Sequence, residues 1–188
     1  VHSEVEEYSF WGGVKYSEPS LKIRMSDGVR DLSVRYAGHE TVERDGRQAL
    51  VITTKDDVYP FEVQLEYRVI PEHDLIERTA RIVNRGETDI VLENVQSAAW
   101  VMPYLADYRL THVTGKWSGE FQLRNTFLSE GKKVLESRRG FTDSHANPWF
   151  AMDNGQATES EGQVWFGALA WSGNWRITAE RTVFDHVR

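Results

Sequence analysis

The stretch Ser137-Arg138-Arg139-Gly140-Phe141-Thr142-Asp143-Ser144-His145-Ala146-Asn147-Pro148-Trp149-Phe150 leads, after a polar loop, into Gly162-Gln163-Val164-Trp165-Phe166-Gly167-Ala168-Leu169-Ala170-Trp171-Ser172-Gly173-Asn174-Trp175. Its second half contains an apolar run from Val164 to Trp171 that is short and bounded by glycines. Such a run predicts a strand that is buried on both faces. The Ser-Gly-Asn tip tolerates positive φ and predicts a reversal, after which Trp175 to Glu180 alternates as a returning, half-exposed strand.

The three tryptophans of this region admit two interpretations. Trp165, Trp171 and Trp175 are bulky apolar side chains, and most such side chains fill the core of a protein. We therefore expect core packing. The alternative is that one of these rings faces a sugar or another domain.

The polar half of the stretch predicts an ordered, irregular loop. Arg138 and Arg139 adjoin a glycine, while Asp143, Ser144 and Asn147 can hydrogen-bond their own backbone. One interpretation is a structural corner held by an Arg–Asp pair. The other is a surface shared with a further domain or molecule, because loops often carry function.

The rest of the chain consists of short alternating segments separated by turn signals. Phe61 to Val69 alternates apolar and polar residues without a break, which indicates a strand with one buried face. Asp27-Gly28 and Asp45-Gly46 are strong turn signals. No segment has the apolar spacing of a helix. The pattern predicts an all-β protein, with antiparallel sheets stacked as a sandwich.

Composition limits the possible partners and compartments. The chain has 188 residues, enough for one domain with a sizeable core, and 22 Lys+Arg against 29 Asp+Glu give a net charge of −7. This acidity disfavours nucleic acid or an anionic membrane as a partner. There is no cysteine and no apolar run long enough to span a membrane, so we expect a cytoplasmic protein.

A set of short motifs resembles the amino-terminal domain of family thirty-six glycoside hydrolases, the bacterial and fungal retaining α-galactosidases. The resemblance extends from about Trp11 to about Glu180, and the combination of motifs is more specific than any single one. Beyond Ser-Arg-Arg-Gly, Ser-His, Asn-Pro and Ser-Gly-Asn in the stretch above, the matching runs are Glu18-Pro19-Ser20-Leu21, Asp74-Leu75-Ile76-Glu77-Arg78 and Asn84-Arg85-Gly86.

This resemblance implies a fold and a role. The fold is a large two-sheet antiparallel supersandwich, similar to that of galactose mutarotase. Residues 1–188 would form a single domain, the amino-terminal fragment of a larger enzyme whose (β/α)₈ catalytic barrel is absent from this sequence. The parent enzyme would hydrolyse terminal α-galactosyl groups and form a homo-oligomer. The isolated chain would be inactive, and we expect an interdomain or structural role for Arg138, Arg139, His145, Asn147 and Pro148.

The residues themselves offer no catalytic or metal-binding constellation. Retaining glycoside hydrolysis needs two carboxylates about 5 Å apart. Asp56-Asp57 and Glu6-Glu7 are adjacent in sequence, so their side chains point to opposite faces of a strand. The six histidines lack the spacing of a metal site. We therefore predict no catalytic residue, no metal and no cofactor in this chain.

The segment from Trp11 to Tyr16 is the best candidate for a direct contribution to function. The resemblance implies that the equivalent loop reaches a sugar site, in some enzymes that of a neighbouring subunit. The family often has Gly-Asp-Phe-Arg at this place, whereas Val14-Lys15-Tyr16-Ser17 stands here, so the family's carboxylate is replaced by Lys15. We predict substrate contacts from Trp11, Lys15 and Tyr16, against the alternative of a loop that only packs on the barrel.

Two other functions stay open at this stage. A free-standing carbohydrate-binding module would bind galactosides through a Trp or Tyr platform. A mutarotase-like aldose epimerase would need a His and a Glu that converge as acid and base on one concave sheet face. Its candidate histidines are His39, His112 and His145, which lie on separate segments.

Overall fold

The computed structural model describes residues 6–12 and 18–188, and within them the chain is built almost entirely of strands. Helical structure there is limited to one 3₁₀ turn at Pro71–His73. All pairs of the strands named below are antiparallel. The all-β antiparallel fold class that the sequence predicts is confirmed. The chain divides into two compact units, Val1–Trp100 and Val101–Arg188.

The first unit contains a four-stranded and a two-stranded sheet, in the orders β2-β3-β4-β5 and β1-β6. Phe61, Val63 and Leu65 alternate on β4 and pack with Leu21 and Ile23 of β1 in one buried cluster. The two sheets therefore share a core, as in a sandwich. The strands are β1 (Leu21–Arg24), β2 (Val34–Arg44), β3 (Arg47–Asp56), β4 (Phe61–Ile70), β5 (Leu75–Asn84) and β6 (Val91–Val95).

The turns of the first unit follow the sequence signals. Asp45 and Gly46 both have positive φ, 52° and 75°, and Arg44 pairs with Arg47 across them. This is the geometry that a two-residue hairpin between twisted strands requires. Gly28 also has positive φ, and its N–H donates to Met25 O at 2.9 Å. Both predicted turns are confirmed.

The second unit repeats the arrangement with different strands. Its sheets have the orders β11-β10-β7-β8 and β12-β9. Leu110, Phe150 and Met152 from the first sheet pack with Leu135 and Trp175 from the second. The strands are β7 (Arg109–Lys116), β8 (Gly119–Phe127), β9 (Gly131–Ser137), β10 (Ala146–Asp153), β11 (Trp165–Ala168) and β12 (Trp175–Arg181).

Three local expectations for residues 137–175, the stretch quoted at the start, are wrong. The polar half is not a loop throughout, because β10 begins at Ala146 and lies inside its sheet. The apolar run is not buried on both faces: β11 is a four-residue edge strand with Phe166 59% exposed. The strand from Trp175 does not return along β11 but pairs with β9, so Ser172-Gly173-Asn174 connects two sheets.

The three tryptophans divide accordingly. Trp175 is buried in the core and Trp165 packs partly against it, as predicted. Trp171 follows the end of β11 and is 62% exposed, so the expectation of core packing fails for this ring.

Candidate functional site

Two buried serines join the described residues on either side of positions 13–17, and we call these flanking residues the feet of that segment. Ser20 N–H donates to Ser9 Oγ at 3.0 Å, and Ser9 N–H donates to Ser20 Oγ at 3.4 Å. Leu21 N–H also donates to Ser9 O at 3.1 Å. Both serines are at most 2% exposed. Hydrogen bonds between buried groups are costly to break, so Ser9 and Ser20 hold the two feet at a fixed distance from each other.

A buried arginine holds the segment that precedes the first foot. Arg78 on β5 has a side chain only 2% exposed, and its guanidinium donates to Glu7 O and Ala99 O at 2.5 Å each. It also forms an ion pair with the Glu7 carboxylate at 2.9 Å. Charge-assisted hydrogen bonds of this kind are among the stronger ones in proteins.

Two tyrosines complete the arginine site. The Arg78 guanidinium lies 5.3 Å from the centre of the Tyr67 ring, and Tyr67 Oη donates to Glu7 Oε1 at 2.6 Å. Burial, with help from the Glu7 carboxylate, raises the pKa of Tyr67 to about 12. Burial also raises the pKa of Tyr8, whose hydroxyl donates to Gln96 O. Both hydroxyls therefore stay protonated and act as donors at neutral pH.

Trp11 lies at the first foot and is half-buried. Its carbonyl oxygen accepts a hydrogen bond from Leu32 N–H at 3.1 Å. Lys22 Nζ and Arg30 Cζ lie 5.7 and 5.9 Å from the ring centre, within the range of cation–π attraction. Gly12 follows with φ 120°, and a Cβ there would lie 2.0 Å from a carboxylate oxygen of Asp31. The other two predicted sugar-contact residues, Lys15 and Tyr16, lie outside the described residues.

The corner at residues 137–145 in the second unit is held by an Arg–Asp pair, as one interpretation of the sequence predicts. Arg139 Nε lies 3.2 Å from Asp143 Oδ2, and the same carboxylate accepts from His145 N–H at 2.9 Å. This backbone hydrogen bond and the nearby cations hold the pKa of Asp143 below its usual value. Arg138 pairs with Glu136 at 2.6 Å but is 80% exposed.

Hydrogen bonds connect this corner to the 172–174 connection. Gly140 N–H donates to Asn174 Oδ1 at 2.6 Å, and Thr142 N–H donates to Ser172 O at 3.0 Å. Trp175 Nε1 donates to Thr142 Oγ1 at 3.1 Å, which ties the corner to the core. The structure thus brings the Ser-Arg-Arg-Gly and Ser-Gly-Asn motifs together, although about thirty residues separate them in the sequence.

Asn147 and Pro148 belong to β10 and not to the corner loop. They lie where the register of β10 against β7 shifts, between Ala146 and Phe150. Proline lacks an N–H and is tolerated at such a bulge. Pro148 O accepts from Leu169 N–H at 2.9 Å and so helps to hold the segment that follows β11.

Two exposed aromatic side chains flank the polar corner; the sequence analysis kept exposure of Trp171 as an alternative and did not consider Phe141. Phe141 is 56% exposed and Trp171 is 62% exposed. The hydrogen bond between Thr142 and Ser172 brings their positions in the chain close together. Large apolar groups beside arginines are common in protein interfaces. Their positions on loops between glycines and serines are the only signal that could have identified them.

The adjacent carboxylates at Asp56 and Asp57 have structural partners. Asp56 accepts from the N–H groups of Ser33, Val58 and Tyr59 at 2.7 to 2.9 Å. Asp57 pairs with Arg35 at 2.6 Å. Within residues 6–12 and 18–188, no group of three or more acidic, cysteine or histidine side chains is arranged to hold a metal. No helix in this part of the chain is long and apolar enough to cross a membrane.

Comparison with known proteins assigns the family. A profile of the glycosyl hydrolase family 36 N-terminal domain matches residues 2–188. The chain belongs to this family. The predicted resemblance is therefore confirmed.

Individual relatives are all considerably longer than this chain. Alpha-galactosidase Mel36A from Lactobacillus acidophilus is 28% identical over 97% of this chain, which corresponds to 27% of the relative. Alpha-galactosidase C from Emericella nidulans is 27% identical over 93% of this chain and 25% of its own length. The chain thus spans about a quarter of these relatives.

Solved structures of the family share the fold. The crystal structure of the GH36 alpha-galactosidase AgaA A355E D478A from Geobacillus stearothermophilus, in complex with stachyose, matches with a TM-score of 0.90 and 26% identity. The match covers 97% of this chain and 27% of that protein. The agreement with the solved fold therefore extends over nearly the whole of this chain.

The three candidate histidines of the mutarotase-like alternative, His39, His112 and His145, have other surroundings in the described part of this family 36 domain. His39 shares a 2.5 Å hydrogen bond with Tyr36, and His145 contacts Asp143. His112 is 8% exposed on β7, and burial together with the cations Lys133 and Arg124 lowers its pKa. No carboxylate contributes to that shift. The described residues therefore give the epimerase alternative no support.

The buried histidine generates a prediction about pH. A lowered pKa in the folded state means that the unfolded chain binds a proton first, so stability is lost as the pH falls below the ordinary value of 6.5. His112→Gln removes this loss. We expect the unfolding free energy, measured by urea titration between pH 7 and 5, to fall less in the variant than in the wild type. The exposed His39→Gln serves as the control, and parallel curves for His112→Gln and wild type would contradict the assignment.

Proposed function

We propose that this chain is the non-catalytic N-terminal part of a longer cytoplasmic α-galactosidase, whose barrel carries the catalytic carboxylates. The observation that carries the proposal is the family match over residues 2–188 together with relatives named as α-galactosidases that are about four times as long. The structural partners of Asp56 and Asp57 support it further, because these carboxylates are already used to hold a turn and a strand.

Within this proposal the two units have different tasks. The first unit presents the segment from Trp11 to Tyr16 as one wall of the sugar site, with substrate contacts from Trp11, Lys15 and Tyr16. The hydrogen-bonded feet support the task, since they fix the positions at which the chain enters and leaves this segment. The second unit offers the corner with Arg138, Arg139 and His145, flanked by Phe141 and Trp171, as the surface that packs on the barrel. Asn147 and Pro148 support that corner from β10.

The substrate class follows from the relatives and stays part of the proposal. AgaA was crystallised with stachyose and, in another variant, with raffinose. We therefore propose that the parent enzyme acts on terminal α-galactosyl groups of oligosaccharides. A homo-oligomer is the arrangement in which the loop of one copy could complete the site of its neighbour.

The first test asks whether α-galactosidase activity needs the part of the polypeptide outside residues 1–188. Hydrolysis of p-nitrophenyl-α-galactoside is measured with residues 1–188 and with the same chain extended by a family 36 barrel. We expect activity in the extended protein and none in the shorter one, because the catalytic carboxylates lie outside it. Activity of residues 1–188 alone would contradict the proposal. Calorimetric heat from millimolar melibiose with the short chain would instead favour the free-standing binding module.

The loop gives a second test in the extended enzyme. Lys15→Ala removes a donor to sugar hydroxyls, and we expect KM to rise about 2- to 10-fold with kcat nearly unchanged, as for the loss of one ordinary hydrogen bond. Trp11→Ala should act in the same direction through the loop foot. Lys116→Ala, an exposed change on β7, is the matched control. If KM for melibiose is the same in all four proteins, the loop is not a wall of the site.

A further inference from the structure

The edge strand β8 of the second unit has an unusual surface for a free edge. It is the last strand in the order β11-β10-β7-β8, so within the described residues one side of it has no neighbouring strand. Every side chain from Phe121 to Phe127 is exposed. Leu123 and Phe127 are 64% and 60% exposed, and both project from the same face because their positions differ by an even number.

Exposed edges are normally protected from pairing by charge. The edge strand β2 of the first unit carries four charged residues, namely Arg35, Glu40, Glu43 and Arg44. The shorter strand β8 carries two, Glu120 and Arg124, and only Arg124 lies in the segment from Gln122 to Phe127. A long edge with few charges and an apolar face is a template for pairing with another strand.

A bulge sets the length of this template. Gly119 pairs with Lys116 and Gln122 pairs with Thr114, so Glu120 and Phe121 lie opposite the single residue Gly115. Phe121 has φ 55°, and Glu120 O accepts from the Gln122 side chain. A partner strand cannot continue in register past this irregularity. The regular part of the edge is therefore Gln122–Phe127.

The sequence of this segment suits pairing with itself. In an antiparallel pair of identical strands, one residue lies opposite its own copy on the two-fold axis. An axis at Arg124 would place two guanidinium groups against each other, which is unfavourable. An axis at Asn125 places Leu123 of each copy opposite Phe127 of the other, so this apolar pair forms once on each side of the axis. It also places Arg124 opposite Thr126.

The side chain of Asn125 fits this position. Its Oδ1 accepts a hydrogen bond from Thr111 at 2.8 Å, whereas its Nδ2 donates to no residue within the described part of the chain. Across the axis, two such amides can hydrogen-bond each other. We propose that β8 is the contact between two copies of this chain, paired antiparallel about Asn125 so that two four-stranded sheets become one.

This inference specifies a contact for the oligomer in the proposed function, but it does not depend on galactosidase activity. The chain contains no cysteine, so a single introduced thiol reports one position. Directly opposite residues in an antiparallel pair have Cα atoms about 4.5–5.5 Å apart, a distance that a disulfide spans. Ser118→Cys, on the same hairpin, would lie on the order of 40 Å from its copy and serves as the position control.

The test is disulfide formation under mild oxidation, followed on a non-reducing gel, with native mass measured by light scattering. We expect Asn125→Cys to give a covalent dimer of twice the chain mass and Ser118→Cys to remain mostly monomeric. Adding Leu123→Asp to Asn125→Cys should abolish the dimer. Adding Phe166→Asp should not, because Phe166 is equally exposed on the same face but at the opposite edge of the sheet.

Circular dichroism of each variant establishes that it is folded, and Phe127→Asp replaces Leu123→Asp if the latter is not. Three outcomes overturn the proposal. In the first, the wild-type chain stays monomeric and Asn125→Cys gives no cross-link. In the second, both cysteine positions cross-link equally. In the third, the wild-type chain is a dimer that Leu123→Asp leaves intact. A cross-link in residues 1–188 that disappears in the extended enzyme also overturns it, because the rest of the polypeptide then covers β8.

Discussion

The buried guanidinium of Arg78 is the interaction on which the organisation of the first unit depends. It joins the backbone of Glu7 and Ala99 to β5, so both ends of the first hundred residues are attached to one side chain. An unpaired buried charge would be costly, and the three acceptors around it offset that cost only while they stay in place. The position of the N-terminal segment is therefore coupled to the integrity of the sheet. The two serines then extend this order to the loop feet.

The second unit depends on a different kind of constraint. Its corner is satisfied internally, by the Asp143 carboxylate and by the amide of Asn174, and so can stay ordered without another domain. Its exposed groups include large apolar side chains, at Phe141 and Trp171 on one part of the surface and along β8 on another. Ordered polar groups with unpaired apolar neighbours suit association, because little entropy is lost when a partner binds. This order and these exposed rings support the proposed role of the second unit in contacts with protein.

Local signals predicted the elements whose environment is local. The alternation of Phe61 to Val69 and the turn at Asp45-Gly46 correspond closely to β4 and its neighbouring hairpin, because period and positive φ are properties of a few adjacent residues. The run from Val164 to Trp171 was misjudged because burial depends on which strand lies beside it, and β11 lies at an edge. The resemblance to the family predicted the same fold class independently of the apolar alternation and of the turn residues.

The site was predictable to a similar degree. The Arg139–Asp143 pair joins residues of one loop, and an Arg–Asp pair in this loop was one of the two interpretations of the sequence. Arg78 was noticed only as part of a motif, because its partner Glu7 is distant in sequence and nothing local indicates that the guanidinium is buried. The most direct measurement of the central claim, that this arginine fixes the loop foot, is amide hydrogen exchange at residues 8–12. The account predicts exchange faster by about tenfold or more in Arg78→Gln, corresponding to a lost charged hydrogen bond, and unchanged in the exposed Arg81→Gln on the same strand. Equal protection of these amides in Arg78→Gln and wild type would contradict it.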